Sequence, residues 1–149
     1  MLTVARTRDD LNRWVLTCYR DDVEIGFARV RLVVGKTAAA LTGTTLESLV
    51  EFEYLEIYEQ YRPAPRAAQL LFCTTFEIIE TELRDLPMGG LIVNTIRDPD
   101  PYRRHILDRS GLFRRLDPPP FFYFASTEDF SLIRQAHCSD YAHVSRVRT

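Results

Sequence analysis

The stretch Leu49-Val50-Glu51-Phe52-Glu53-Tyr54-Leu55-Glu56-Ile57-Tyr58 decides the fold. Val50, Phe52 and Tyr54 alternate with Glu51 and Glu53, the period of a half-buried strand. After Tyr54 the apolar positions move by one, to Leu55 and Ile57. Such a shift turns the faces of a strand over, and a β-bulge absorbs it by inserting one unpaired residue. A strand covered on both faces gives the same pattern. Downstream, Pro63 and Pro65 precede a helical stretch in which Ala68, Phe72, Phe76, Ile79 and Leu83 recur on one face. Pro65 suits a first helical turn, where its missing N–H would have no intrahelical partner. The helix should stop near Arg84-Asp85, before Pro87 and Gly89-Gly90. Leu91–Ile96 is a short apolar run that suits a buried strand parallel to the first.

Upstream, Trp14–Tyr19 and Val23–Val34 read as a hairpin around the turn cluster Arg20-Asp21-Asp22. Lys36–Thr45 is a small-residue connection without a clear period. Beyond Asp98-Pro99-Asp100-Pro101, the last two residues offer cap and first-turn chemistry for a short helix through Leu107, ended by Ser110-Gly111. Phe121–Phe124 reads as a strand, and Ser126 with Asp129 resembles a capping box before a helix carrying Phe130, Ile133 and His137 on one face. Strand–helix–strand–helix–strand after an antiparallel hairpin implies an α/β (α+β) domain over residues 1–149, a mixed sheet with helices on its faces.

Composition narrows the function classes. The chain has 149 residues, 46% hydrophobic and 27% charged, which excludes whole-chain disorder. No apolar run approaches the ~20 residues of a membrane span. Met1–Asp10 carries Arg6, Arg8, Asp9 and Asp10 in place of the apolar core of a signal peptide. A net charge of −2 offers no basic field for nucleic acid. Cys18, Cys73 and Cys138 are odd in number and far apart, which reads as free thiols in a reducing cytoplasm. The three histidines show no metal-ligand spacing. Exposed edge strands would leave a homodimer open.

At Leu55–Arg62 and beyond, the chain resembles the GCN5-related N-acetyltransferases. In that family a bulged strand runs into an R/Q-x-x-G-x-G/A loop and then a long amphipathic helix. Here Arg62 takes the leading place, Pro65 stands where the first glycine belongs, and Ala67 takes the final Gly/Ala place. Gly111-Leu112-Phe113 followed by Phe121–Phe124 matches the family's closing turn and strand. Residues 13–125 carry the resemblance. Residues 1–12 are too few for the family's first strand and two following helices, so the N-terminal helices are expected to be reduced or missing. The acceptor-side lid is then absent or rebuilt, with Lys36–Leu46 as the candidate segment.

The resemblance implies an antiparallel N-terminal hairpin, a parallel strand pair at the centre, and acetyl-CoA or another acyl-CoA as cosubstrate. Its acceptor would be an amine on a small molecule or a protein. Diphosphate would be held by Arg62, Arg66 and the N–H groups of Arg66, Ala67, Ala68 and Gln69, although Pro63 and Pro65 each delete a donor. A proline-rich start to a core helix with solvated arginines is the plain alternative. The pantetheine arm would lie in a splay between Leu55–Tyr58 and Leu91–Asn94, making Ile57, Tyr58 and Asn94 contact positions. A strand N–H near Ile57 or Tyr58 would meet the oxyanion.

Five carboxylates and no cation lie within Glu47–Glu59, which suits a cationic acceptor. Only a neutral amine attacks a thioester, so a carboxylate base is needed. Glu56 is preferred as nearest the expected bulge, with Glu51 and Glu53 behind it. The family's acid tyrosine would fall four residues before Gly111, where this chain has Leu107. Tyr102 and His105 lie on the same predicted helix, and Tyr102 is taken as the candidate acid. Arg97–Arg115 is locally basic and could meet a 3′-phosphate or an acidic partner. The degenerate loop keeps a second class open: a non-catalytic module of this fold that acts through protein contacts.

Overall fold

The computed structural model describes residues 1–42, 48–96, 107–116 and 122–139, and the backbone of 145–148. Strand β1 (Leu2–Asp10) reverses at Leu11-Asn12 into β2 (Arg13–Arg20), which reverses at Asp21-Asp22 into β3 (Val23–Val34). Asp21 and Asp22 hold φ of 49° and 74°. A two-residue turn with both centres in the left-handed region matches the twist of the strands it joins, and Asp tolerates that region better than most residues. The first twelve residues therefore do form a strand, with no helix between it and β2. Helix α1 (Gly35–Thr42) follows β3, in the segment whose sequence showed no clear period.

Strand β4 (Ser48–Ile57) pairs antiparallel with β3 in two registers, Ser48–Phe52 against Val30–Val34 and Tyr54–Ile57 against Gly26–Arg29. Glu53 is the extra residue between them, so the bulge sits one position before the slip seen in the sequence. The insertion puts Val50, Phe52, Leu55 and Ile57 on one face, in the main core. Helix α2 (Pro65–Thr81) lies on that face. Strand β5 (Gly90–Asn94) is parallel to β4, while β6 (Arg114–Arg115) and β7 (Phe122–Ser126) continue the sheet antiparallel. Helix α3 (Phe130–His137) packs on α2, and β8 (Ser145–Arg148) adds parallel to β1. The sheet order is β6-β7-β5-β4-β3-β2-β1-β8.

The main core joins Trp14, Leu16, Ile25 and Val30 of the hairpin to Leu70, Leu71 and Ile78 of α2. On the opposite face Ala38 of α1 packs with Val33, Leu49, Ile92, Leu116 and Phe122. The expected lid segment thus gives part of its length to a second core. The apolar stripe read in α2 lies along the main core: Phe76 and Leu83 are buried in it, and Ala68, Phe72 and Ile79 pack against it. Phe72 and Ile79 are half-buried, whereas Ala67, Leu70, Leu71, Thr74 and Ile78 are buried. Phe72 meets Phe52 of β4 edge-on at 5.6 Å and lies 6.5 Å from Phe113, while Phe76 also meets Phe130 of α3 edge-on at 5.4 Å, so α2 is covered twice.

Three further expectations change. Ser126 makes no capping hydrogen bond, because a 3-10 turn at Thr127–Asp129 intervenes before α3. Cys73 and Cys138 form a disulfide with a Cα–Cα distance of 5.8 Å, leaving Cys18 as the buried free thiol. The expectation of a cytoplasmic setting loses the support it drew from three free thiols. Among the described residues no helix is long and apolar enough to cross a membrane.

Gly26 shows how closely β3 and β4 approach past the bulge. A Cβ there would lie 2.4 Å from the Glu56 carbonyl oxygen and 3.0 Å from Ile57 Cα. Gly26→Ala should cost about 1–3 kcal/mol by forcing the two backbones apart, read as a lower midpoint in urea unfolding with the slope unchanged.

Candidate functional site

The β4–β5 ladder is short. It pairs Val50–Phe52 with Leu91–Val93 and stops, while β4 runs on to Ile57. Leu91–Val93 are therefore zipped, and the opening begins at Glu53 on one wall and Asn94 on the other. It starts where the bulge bends β4. Beyond it Tyr58 N–H donates to Ile25 O across to β3 at 2.9 Å. Peptide groups along a strand alternate in direction, so the N–H and C=O of Ile57 are turned toward the side where β5 has ended. Arg62 Nε already donates to the Ile57 carbonyl at 2.5 Å. Of the two strand amides expected to meet an oxyanion, Ile57 is turned to the opening and Tyr58 is taken by β3.

The start of α2 follows directly. Ala64 is its cap residue and makes no side-chain cap bond, and Pro65 opens the helix without an N–H. Ala68 N–H donates to Ala64 O at 3.1 Å, so Ala68 is not a free donor as expected. Gln69 lies past the first turn, and its side-chain amide donates to the His137 carbonyl. The N–H groups of Arg66 and Ala67 remain without an intrahelical acceptor. Arg66 is exposed beside them, whereas Arg62 is turned onto β4.

A polar cluster closes the inner end of the opening. Glu51 is 2% exposed, and its carboxylate accepts from Arg31 Nε and Nη2 at 3.0 and 2.8 Å and from Asn94 Nδ2 at 3.2 Å. Asn94 Oδ1 accepts from Ile96 N–H at 3.0 Å, so both ends of that amide are used. Asn94 thus orders a carboxylate, a role its position in the strand pattern did not reveal. Arg31 Nε also lies 2.9 Å from Glu53 Oε1. Burial and the neighbouring Glu51 charge raise the Glu53 pKa above the usual carboxylate value, against the pull of Arg31, Arg13 and Arg29. Nearness to the bulge, the reason for preferring Glu56, passes to Glu53. Glu56 stands three residues further along, opposite Phe27 in the β3 register.

Tyr58 hydroxyl donates to Glu24, and that bond, with partial burial, pushes its pKa up to about 12. Phe27 lies between Tyr54 and Tyr58 at ring distances of 5.5 and 6.3 Å. Leu107 begins a described helical stretch, residues 107–110, and Gly111 ends it with φ of 70°. Tyr102 and His105, and most of the basic Arg97–Arg115 segment, lie outside the described residues. Among the described residues no group of three His, Cys, Asp or Glu side chains is placed to hold a metal ion.

A bulged central strand, a parallel neighbour that parts from it, and a helix starting at the opening are the fold of the GCN5-related N-acetyltransferases. No family model matches the chain, and no curated protein matches it in sequence. Solved structures do. A chain of the KacTA–DNA complex superposes with a TM-score of 0.64 at 14% identity, over 86% of this chain and 76% of that one. A point mutant of the AtaT toxin, bound to the C-terminus of the antitoxin AtaR, gives 0.62 at 14% identity, over 89% and 96%. Arabidopsis thaliana NAA60 in complex with acetyl-CoA gives 0.53 at 16% identity, over 80% and 79%. The low net charge weighed against nucleic acid, but the KacTA complex contains DNA, so the fold itself carries no such exclusion.

Proposed function

We propose that this protein is an acyl-CoA-dependent N-acyltransferase, using acetyl-CoA or a related thioester to acylate an amine. The observation that carries the reading is the parting of β4 and β5 after Phe52 and Val93. It frees an edge of β4 in the middle of a sheet, where backbone groups are otherwise paired. The Ile57 amide turned to that edge and the Arg66 and Ala67 amides at the start of α2 fit a ligand with an amide-bearing arm and a diphosphate. Arg66 adds a guanidinium where Pro65 removes a donor. NAA60 and AtaT of the same fold are solved with acetyl-CoA, which agrees with this choice.

Within the reading, Glu53 takes the proton of the acceptor ammonium. Its raised proton affinity makes it a better base than an exposed glutamate, and Arg31 fixes its direction. Glu51, itself bound by Asn94, holds Arg31 in turn. The acyl-CoA supplies an activated carbonyl, and the Ile57 amide is the donor placed for the charge that develops on its oxygen. The acidic surroundings favour a cationic acceptor on a small molecule or a protein. The Tyr58 phenol, bound to Glu24 and shifted away from neutrality, is a poor proton donor.

Acetyl-CoA at a hundred times its Kd should stabilise the native state by about 2.7 kcal/mol, raising Tm by roughly 5–10 °C. Desulfo-CoA should do nearly the same, and acetate should not. No shift at millimolar acetyl-CoA overturns the reading.

A further inference from the structure

Helix α3 is lightly embedded: Ile133 is its one buried residue. Four contacts hold it to α2. Phe130 meets Phe76, Arg134 pairs with Glu80, Gln69 donates to the His137 carbonyl, and the Cys73–Cys138 bond joins mid-α2 to the end of α3. Both cysteines line an open groove of about 760 Å³ between the helices. Cys73 is 4% exposed, whereas Cys138 is only partly buried. The bond closes a loop of 65 residues, and the chain goes on from Cys138 to β8 on the edge of β1.

We propose that Cys73–Cys138 is a reversible thiol–disulfide exchange site that fastens the α3–β8 end of the chain to α2, and that a dithiol reductant opens it. Exchange needs access to one sulfur; both cysteines line the groove, and Cys138 is the more exposed of the two. A thiolate of the reductant attacks Cys138 Sγ, and the Cys73 sulfur leaves with the bonding pair and takes up a proton. The second reductant thiol then displaces Cys138 as a thiol, so two electrons and two protons enter the protein and the reductant closes its own disulfide. The opened state is accommodated: the His137 carbonyl oxygen lies 3.6 Å from Cys73 Sγ, within reach of a thiol proton. Cys18 does not compete for exchange. It is buried in the sheet core, and burial pushes its thiol up to about 11, away from the reactive thiolate. The inference does not depend on acyl transfer.

The test uses the whole protein with and without a dithiol such as dithiothreitol. Alkylation in denaturant should find one reactive thiol before reduction and three after. Hydrogen exchange of the α3 amides and of the β1–β8 pair should quicken by about tenfold or more on reduction, with the β3–β4 amides unchanged. Cys138→Ser should show the fast pattern and no response to reductant, and Cys18→Ser should respond like the parent. Three reactive thiols before reduction, unchanged exchange after it, or equal acceleration of every amide would each overturn the proposal. The last would make the bond a staple of the whole fold.

Discussion

Glu53→Gln lowers the rate of amine acylation at saturating acyl-CoA by about 10²–10⁴-fold, the span for loss of a positioned base. Binding of acyl-CoA should be unchanged, because the groups assigned to it lie at Ile57 and the start of α2. Stability should move the other way. The folded pKa of Glu53 is raised, so its ionised form is less welcome in the native state than in the unfolded chain. That penalty is absent below the unfolded value, about 4.3, and complete above the raised folded value. Gln carries no charge at any pH. The variant should therefore melt at or above the parent at pH 7 and converge with it near pH 4. The parent's rate should fall as acid protonates Glu53, and the residual activity of the variant should lack that limb. Unaltered turnover would reject Glu53 as the base while leaving the cofactor reading in place.

Arg31→Met should destabilise the protein by about 3 kcal/mol at pH 7, roughly 10 °C in Tm. The methionine replaces the bulk and removes the charge. Glu51, nearly sealed from solvent, then keeps only Asn94 and faces Glu53 without a cation between them. The lower end of the range for a broken buried pair applies, because Arg31 itself is 31% exposed. Acid should shrink the loss, since a protonated carboxyl can be buried uncharged. A loss below 1 kcal/mol, or one equal at pH 4 and pH 7, would show that the cluster does not hold the inner end of the opening.

Much of the architecture was legible because local rules carried it. The alternation of Val50–Tyr54 and its slip announced a bulged strand, and Pro65 and the Gly111 turn marked helix ends through backbone chemistry that needs no tertiary context. The apolar run at Leu91 announced the parallel strand, and the resemblance put the opening beside it, although Leu91–Val93 are paired and the strands part only after them. Less was legible where one residue serves a distant partner. Glu56 was preferred over Glu53 because the pattern shows that a face has changed and cannot show which residue stands unpaired. Asn94 was placed as a contact position by the resemblance, and its bond to Glu51, 43 positions away, could not be read from the strand pattern. The Phe72–Phe76–Ile79 stripe was legible as an apolar face, and the pairing of Phe76 with Phe130 was not, because it joins two helices far apart in sequence. The Cys73–Cys138 bond escaped because spacing rules for cysteine concern neighbours in sequence.

The seam between β1 and β8 has a consequence for biogenesis. Leu2 pairs with Ser145, 143 positions later, so the outer edge of β1 waits for the last strand to be made. As the ribosome delivers the chain, β1 to β3 can zip by local reversals, yet half of that edge stays open to other strands until 145–148 emerge. Closure there is a high-separation contact and a slow one. Shortening the chain by its last five residues should leave the sheet folded and yet raise the share lost to aggregation on rapid refolding.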